Sequence, residues 1–196
     1  WDTLLLGFLV GSVAVGYYDS SVRIAFLATT FAVGVSKTSN VKMSGLREID
    51  EDITNIASKT VEVSTFLIFP LLLISLFNVE YMLSVLFTPE YTGAKIYLIL
   101  LVIIQIFQAY RMQFESICNS TDNPNTTTKI SLIVALINVA TAPFLVIKFG
   151  GYGVLYSTLL SEIARLILYQ ISIKNILQTY IIPKGVFIQC GSIFIL

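Results

Sequence analysis

Apolar runs of about 20 residues alternate along this chain with short polar breaks, the pattern of helices that cross a bilayer one after another. Residues 1–10 read as the tail of one helix, and Gly11-Ser12 as a tight turn. Residues 13–35 form the first complete span, followed by 66–87, 96–117, 130–147 and 154–173, about five crossings in one transmembrane domain. Pro70 and Pro143 fall inside two of these spans. Lipid-embedded helices tolerate such prolines because neighbouring groups re-satisfy the freed carbonyls. Residues 185–196 start a further helix. Trp1 is not an initiator Met, and both terminal runs are too short to cross alone. The chain is therefore expected to be truncated at both ends, one part of a longer protein.

The stretch 41–59 follows a different rule. Val41, Met43, Leu46, Ile49, Ile53 and Ile56 recur at helical steps, while Arg47, Glu48, Asp50, Glu51 and Asp52 take the opposite side. That periodicity predicts a cytoplasmic amphipathic linker helix lying in the interface plane, or else a solvated linker without lipid contact.

Composition agrees with a membrane location. Hydrophobic residues make up 56% of the chain and charged residues only 12%. An ordinary soluble domain carries about a quarter charged residues, so this one could not cover its surface in water. Mean hydropathy is +0.83. The formal net charge of +0 provides no global field for nucleic acid or acidic substrates. With His 0 there is no Ser-His-Asp or Cys-His pair and no imidazole metal site. Cys118 and Cys190 sit in separate apolar stretches without ligand-like spacing and read as packing residues. Neither a catalytic group nor a metal ligand nor a cofactor site is predicted.

The charges are distributed asymmetrically. If successive breaks alternate sides, Lys37, Lys42, Arg47, Lys59, Lys129, Lys174 and Lys184 share one side, and only Lys95 and Lys148 flank the other. The first side is then cytoplasmic, in a multi-pass protein of the cell membrane. Two Asn-x-Ser/Thr sequons starting at Asn119 and Asn125 fall on that side and are expected to carry no glycan.

Several ionisable groups fall inside the spans, where each costs on the order of 2.5–3.5 kcal/mol without a partner or a wet cavity. Asp2 and Arg23 are each about ten residues from the first turn, roughly 15 Å deep, so adjacent antiparallel helices are expected to pair them. Asp19 stands one turn outward from Arg23 on the same face. Gln105, Gln108, Arg111 and Glu115 share one broad face of the 96–117 span, and Glu162 and Arg165 are three apart in the last complete span. The candidate cavity residues are thus Asp2, Asp19, Arg23, Gln108, Arg111, Glu115, Glu162 and Arg165. The competing reading of each pair is structural: neutralised charges that hold helices in register. Arg23 stands out because a polar cluster of Tyr17, Tyr18, Asp19 and Ser20 adjoins it, and a guanidinium matches phosphate oxygens.

The order of short motifs carries a family resemblance. Asp2-Thr3-Leu4-Leu5-Leu6-Gly7 followed by Val15-Gly16-Tyr17-Tyr18 resembles the start of the second half of polysaccharide-type flippases, within the multidrug/oligosaccharidyl-lipid/polysaccharide exporter superfamily. Leu86-Phe87-Thr88-Pro89-Glu90-Tyr91-Thr92-Gly93-Ala94 is similar to that family's Phe-Gly-Pro-Glu-Tyr loop, with Thr88 where Gly is usual. Phe149-Gly150-Gly151-Tyr152-Gly153-Val154 resembles its Tyr-Gly-x-x-Gly turn, and Ser161-Glu162 a further common pair.

The resemblance implies an all-α polytopic bundle: the second six-helix lobe of a two-lobe flippase, with the missing N-terminal lobe as its partner around a central cavity. It implies an isoprenoid-diphosphate-linked oligosaccharide or polysaccharide repeat unit as substrate, moved across the membrane by alternating access, with the isoprenoid tail left in membrane lipid. Arg23 would meet the diphosphate. A cation-coupled multidrug exporter of the same superfamily is the first alternative, and the coupling ion, Na⁺ or H⁺, stays open. A membrane-embedded glycosyltransferase or ligase is the second, though the outer breaks at 87–94 and 148–153 are short for a catalytic loop. A non-transporting membrane scaffold is the third.

Overall fold

The computed structural model describes residues 1–48, 53–87, 89–121 and 124–177, and they form an all-α polytopic helical bundle. In chain order come α1 (Asp2–Leu9), α2 (Ser12–Glu48), α3 (Thr54–Phe77) and α4 (Val79–Leu86). A 3₁₀ turn (Pro89–Ala94) follows, then α5 (Lys95–Ser120), α6 (Pro124–Phe149) and α7 (Tyr152–Leu177). The central helix is α5, packed against α2, α3 and α7; α6 lies against α7, and α1 against α2 and α6.

Burial runs opposite to that of a water-soluble domain. Among the described residues four helices are long and apolar enough to cross a membrane: Thr54–Phe77, Lys95–Ser120, Asn125–Phe149 and Tyr152–Asn175. The most apolar of them, Asn125–Phe149, is the least buried, with only 22% of its best window inside the protein. Its Leu132, Leu136, Phe144 and Ile147 stand exposed, as do Ile163, Ile167 and Ile171 along one stripe of α7. Water would penalise such faces by about 25 cal/mol for each Å² of apolar surface, whereas hydrocarbon does not. The chain is a multi-pass membrane protein.

The expected spans 96–117, 130–147 and 154–173 lie within α5, α6 and α7, and 13–35 lies within α2. Two boundaries differ. The expected span 66–87 is replaced by α3, which starts at Thr54, breaks at Asn78 and is followed by the short α4. Polar residues early in α3 are accommodated because their hydroxyls bond back into the helix: Thr60 to the Ile56 carbonyl at 2.8 Å and Thr65 to Val61 at 2.7 Å. At the other end the Asn78 side-chain amide donates to the Ile74 carbonyl at 2.9 Å, ending the helix.

The second difference concerns 41–59. Residues 41–48 continue α2 without interruption, and 54–59 are the first turns of α3; 49–52 lie outside the described residues, as do 185–196. Met43, Ile53 and Ala57 are buried together with Ile117 and Tyr169, so this part of the apolar face is covered by α5 and α7, while Val41 stands exposed. Amphipathic spacing establishes that one face is apolar; it does not say whether lipid or protein covers it.

Turns at the opposite end set the helix register. Gly11 has φ 117° and its amide caps the Leu6 carbonyl at 2.9 Å, a conformation glycine adopts without Cβ strain. Gly150 has φ 60°, and Gly153 lets α7 approach the Leu145–Val146 backbone of α6 closely. The two loop motifs meet here: Tyr17 packs on Tyr91 and Tyr97, and Tyr97 on Tyr152 with centroids 4.9 Å apart.

Candidate functional site

Three side-chain bonds fix how α2 lies on α5. Gln113 Nε2 donates to the Ala32 carbonyl at 3.2 Å, Ser36 Oγ to Met112 O at 2.9 Å, and Ser116 Oγ to Ser36 O at 3.0 Å. Polar groups of the C-terminal half of α2 thereby find partners inside the bundle, which keeps this segment helical past the point where its hydropathy falls.

That register opens a groove of about 360 Å³ between the two helices, lined by Lys37 and Asn40 of α2 and by Arg111, Glu115, Ser116 and Asn119 of α5. On its floor, Arg111 Nη1 donates to Glu115 Oε2 at 3.1 Å. The spacing is four residues, so this bond is local to one helix turn. Arg111 also reaches α7, with its Nε 3.7 Å from Glu162 Oε2. Glu162 Oε1 in turn lies 3.8 Å from Arg165 Nη1. The two pairs read from sequence as separate are therefore one chain of charges, Glu115–Arg111–Glu162–Arg165, which ties α5 to α7.

The chain of charges is incompletely bonded. Arg111 Nε, Arg165 Nε and Glu162 Oε2 are buried without a hydrogen bond, because the contacts between the pairs are ion pairs longer than hydrogen-bond distance. Two guanidiniums thus share one carboxylate and keep donors in reserve, an arrangement in which an anionic oxygen can compete for them.

The end of the bundle near the Gly11 turn is organised differently from expectation. Asp2 does not pair with Arg23. Its Oδ2 accepts from Tyr18 Oη at 3.0 Å and from Thr158 Oγ1 at 3.4 Å. The turn at Gly11 packs Leu6 with Ala14 and sets Gly7 beside Val15, which carries Asp2 to the level of Tyr18. Arg23 lies five residues further along α2, roughly 7.5 Å deeper. It is exposed, and among the described residues no ion pair joins it to Asp2 or Asp19. Asp19 and Gln108 are both half-buried, and Gln105 is buried with its Oε1 unbonded.

Lys37 was missed by sequence reasoning, which gave it only a topological role at the end of a span. The signal was present: 14 residues separate it from Arg23, four turns of one helix, so the two share a face once α2 is continuous. Among the described residues no three His, Cys, Asp or Glu side chains come together as metal ligands would.

Comparison with known proteins places these features. The MatE family model matches residues 1–144. Over 190 residues the chain is 26% identical to "Probable flippase AglR" of Haloferax volcanii, a match that covers 94% of this chain and 38% of that protein. It is 21% identical over 192 residues to "Probable low-salt glycan biosynthesis flippase Agl15" of the same organism, covering 97% of this chain and 40% of the relative. The chain thus spans about two fifths of the length of these relatives. No solved structure matches it.

Proposed function

Because this chain belongs to the MatE family, we propose that it is part of a flippase of the cytoplasmic membrane, a transporter rather than an enzyme. Its substrate would be an isoprenoid-diphosphate-linked oligosaccharide or polysaccharide repeat unit. The observation that carries this reading is the groove in which Lys37, with no carboxylate within 4 Å among the described residues, faces the Arg111 end of the charge chain. Among the described residues one more cation than anion lines that groove, Lys37 and Arg111 against Glu115. A diphosphate offers such a site a multidentate partner, and Arg23 on the same face of α2 extends the basic track outward. The names of the Haloferax relatives point the same way.

On this reading the substrate draws Arg111 and Arg165 partly away from Glu162. Binding then differs between conformations that hold α5 against α7 tightly and loosely, which alternating access requires. Asp2, Tyr18 and Thr158 hold α1, α2 and α7 together at the outer end, and Asp19 stands beside them.

The test uses the full-length protein in vesicles, with a fluorescent isoprenoid-diphosphate oligosaccharide loaded in one leaflet and its accessibility to an impermeant quencher followed in time. Flipping is expected, with Lys37→Ala and Arg23→Ala each slowing it by tenfold or more at unchanged membrane abundance. Vesicles that move a cationic dye down an ion gradient and leave the lipid in place would instead establish the multidrug exporter. Unaltered flipping in both variants would remove the diphosphate site from this face.

A further inference from the structure

A second groove, of about 600 Å³, runs between α2 and α3 on the side of α2 away from the charge chain. Among the described residues its two ionised lining groups are Lys42 and Lys59, one from each helix, and no carboxylate lines it. Neither lysine has a carboxylate within 4 Å among the described residues. The hydroxyls beside them offer no competing charge: Thr38 donates to the Gly34 carbonyl at 3.0 Å and Thr60 to Ile56 at 2.8 Å.

Away from the lysines the groove is apolar, and it opens on the face of α3 where Val63, Phe66 and Leu67 are 49%, 70% and 41% exposed. In a membrane span such a face meets hydrocarbon. The groove extends along α2 from Lys42 to Thr30, 12 residues or roughly 18 Å. Half of a bilayer's hydrocarbon core is about 15 Å. The groove therefore has the length of one leaflet, with both charges at its interfacial end.

We propose that this groove binds an anionic membrane phospholipid, with one acyl chain against Val63 and Leu67 and the phosphate between Lys42 and Lys59. The leaflet is the one on the side that carries these lysines. A cation near an anionic head group strengthens binding about 5-fold, so the two together give about 30-fold selectivity over a zwitterionic lipid. The inference rests on the groove alone and does not depend on the flippase reading.

Native mass spectrometry of the full-length protein, with phosphatidylglycerol and phosphatidylcholine at equal concentration, tests it. The wild type is expected to retain phosphatidylglycerol about 30-fold more strongly. Lys42→Gln and Lys59→Gln should each lose about 5-fold, and the double variant the whole preference. Lys148→Gln, at the opposite end of the bundle, should change nothing. Val63→Trp keeps the charges and fills the exposed groove, so it should weaken both lipids; this variant carries the test if the lysine variants express poorly. Three results would overturn the proposal: no preference in the wild type, a preserved preference in the double variant, or loss of bound phosphatidylglycerol to millimolar inorganic phosphate. Displacement by equimolar polyprenyl phosphate with the same lysine dependence would also overturn it, making the groove a loading site for the transported lipid.

Discussion

Replacing Glu162 by Ala tests whether the charge chain holds α5 against α7. Its side chain is 7% exposed and is shared by Arg111 at 3.7 Å and Arg165 at 3.8 Å, whose side chains are 21% and 19% exposed. Removing one partner of a buried ion pair costs about 3–5 kcal/mol, because the other charge is left behind. Two features reduce that figure here. Arg111 keeps Glu115 at 3.1 Å, and both arginines retain some contact with the surroundings. The expected loss is therefore about 2–3 kcal/mol. Glu162→Gln retains volume and an acceptor oxygen and should lose about 1–2 kcal/mol. Glu115→Ala is the control: its side chain is 33% exposed and its bond is local to one helix, so about 0.5 kcal/mol is expected. Denaturant unfolding of the full-length protein in mixed micelles, followed by intrinsic fluorescence, ranks the variants. The sign of non-additivity is the more stringent reading. Arg165 has no other ion pair among the described residues, so Arg165→Ala in the Glu162→Ala background should restore at least about 1 kcal/mol. If Glu115→Ala costs as much as Glu162→Ala, or if the two losses at 162 and 165 simply add, the link between the helices is not what stabilises them.

Two further outcomes follow from the turns and the orientation. At Gly153 an added Cβ would run into the Leu145–Val146 backbone, which cannot yield as a side chain can. Gly153→Ala should cost about 1–3 kcal/mol and separate α6 from α7, read as loss of monodisperse protein on size-exclusion chromatography. Cysteines introduced at Ser44 and Thr126 should resist a membrane-impermeant maleimide in intact cells and react after permeabilisation; labelling of intact cells would reverse the assigned orientation.

The positions of α5, α6 and α7 were legible because each is a long, predominantly apolar run with a turn signal at its start. The register between helices was not. Counting residues from the Gly11 turn placed Asp2 opposite Arg23, but the contact of Gly7 with Val15 places it opposite Tyr18. Depth along one helix follows from numbering, whereas the pairing of two helices depends on how their small residues interlock. The C-terminal half of α2 was illegible for a related reason. Hydropathy ends the span near residue 35, yet the helix runs on to Glu48 because α5 satisfies its polar groups through Ser36, Ser116 and Gln113. That continuity changes the meaning of the basic residues. Lys37 and Lys42 were read as one topological signal, but five residues on a helix rotate a side chain by about 140°. Lys37 therefore faces the groove with Arg111 and Glu115, while Lys42 faces the groove with Lys59. Both remain at the same end of the bundle, so a charge expected to orient the chain in the membrane can also line a groove. On the proposed reading, the positive-inside pattern and the two grooves draw on one set of lysines, seen along the helix axis and around it.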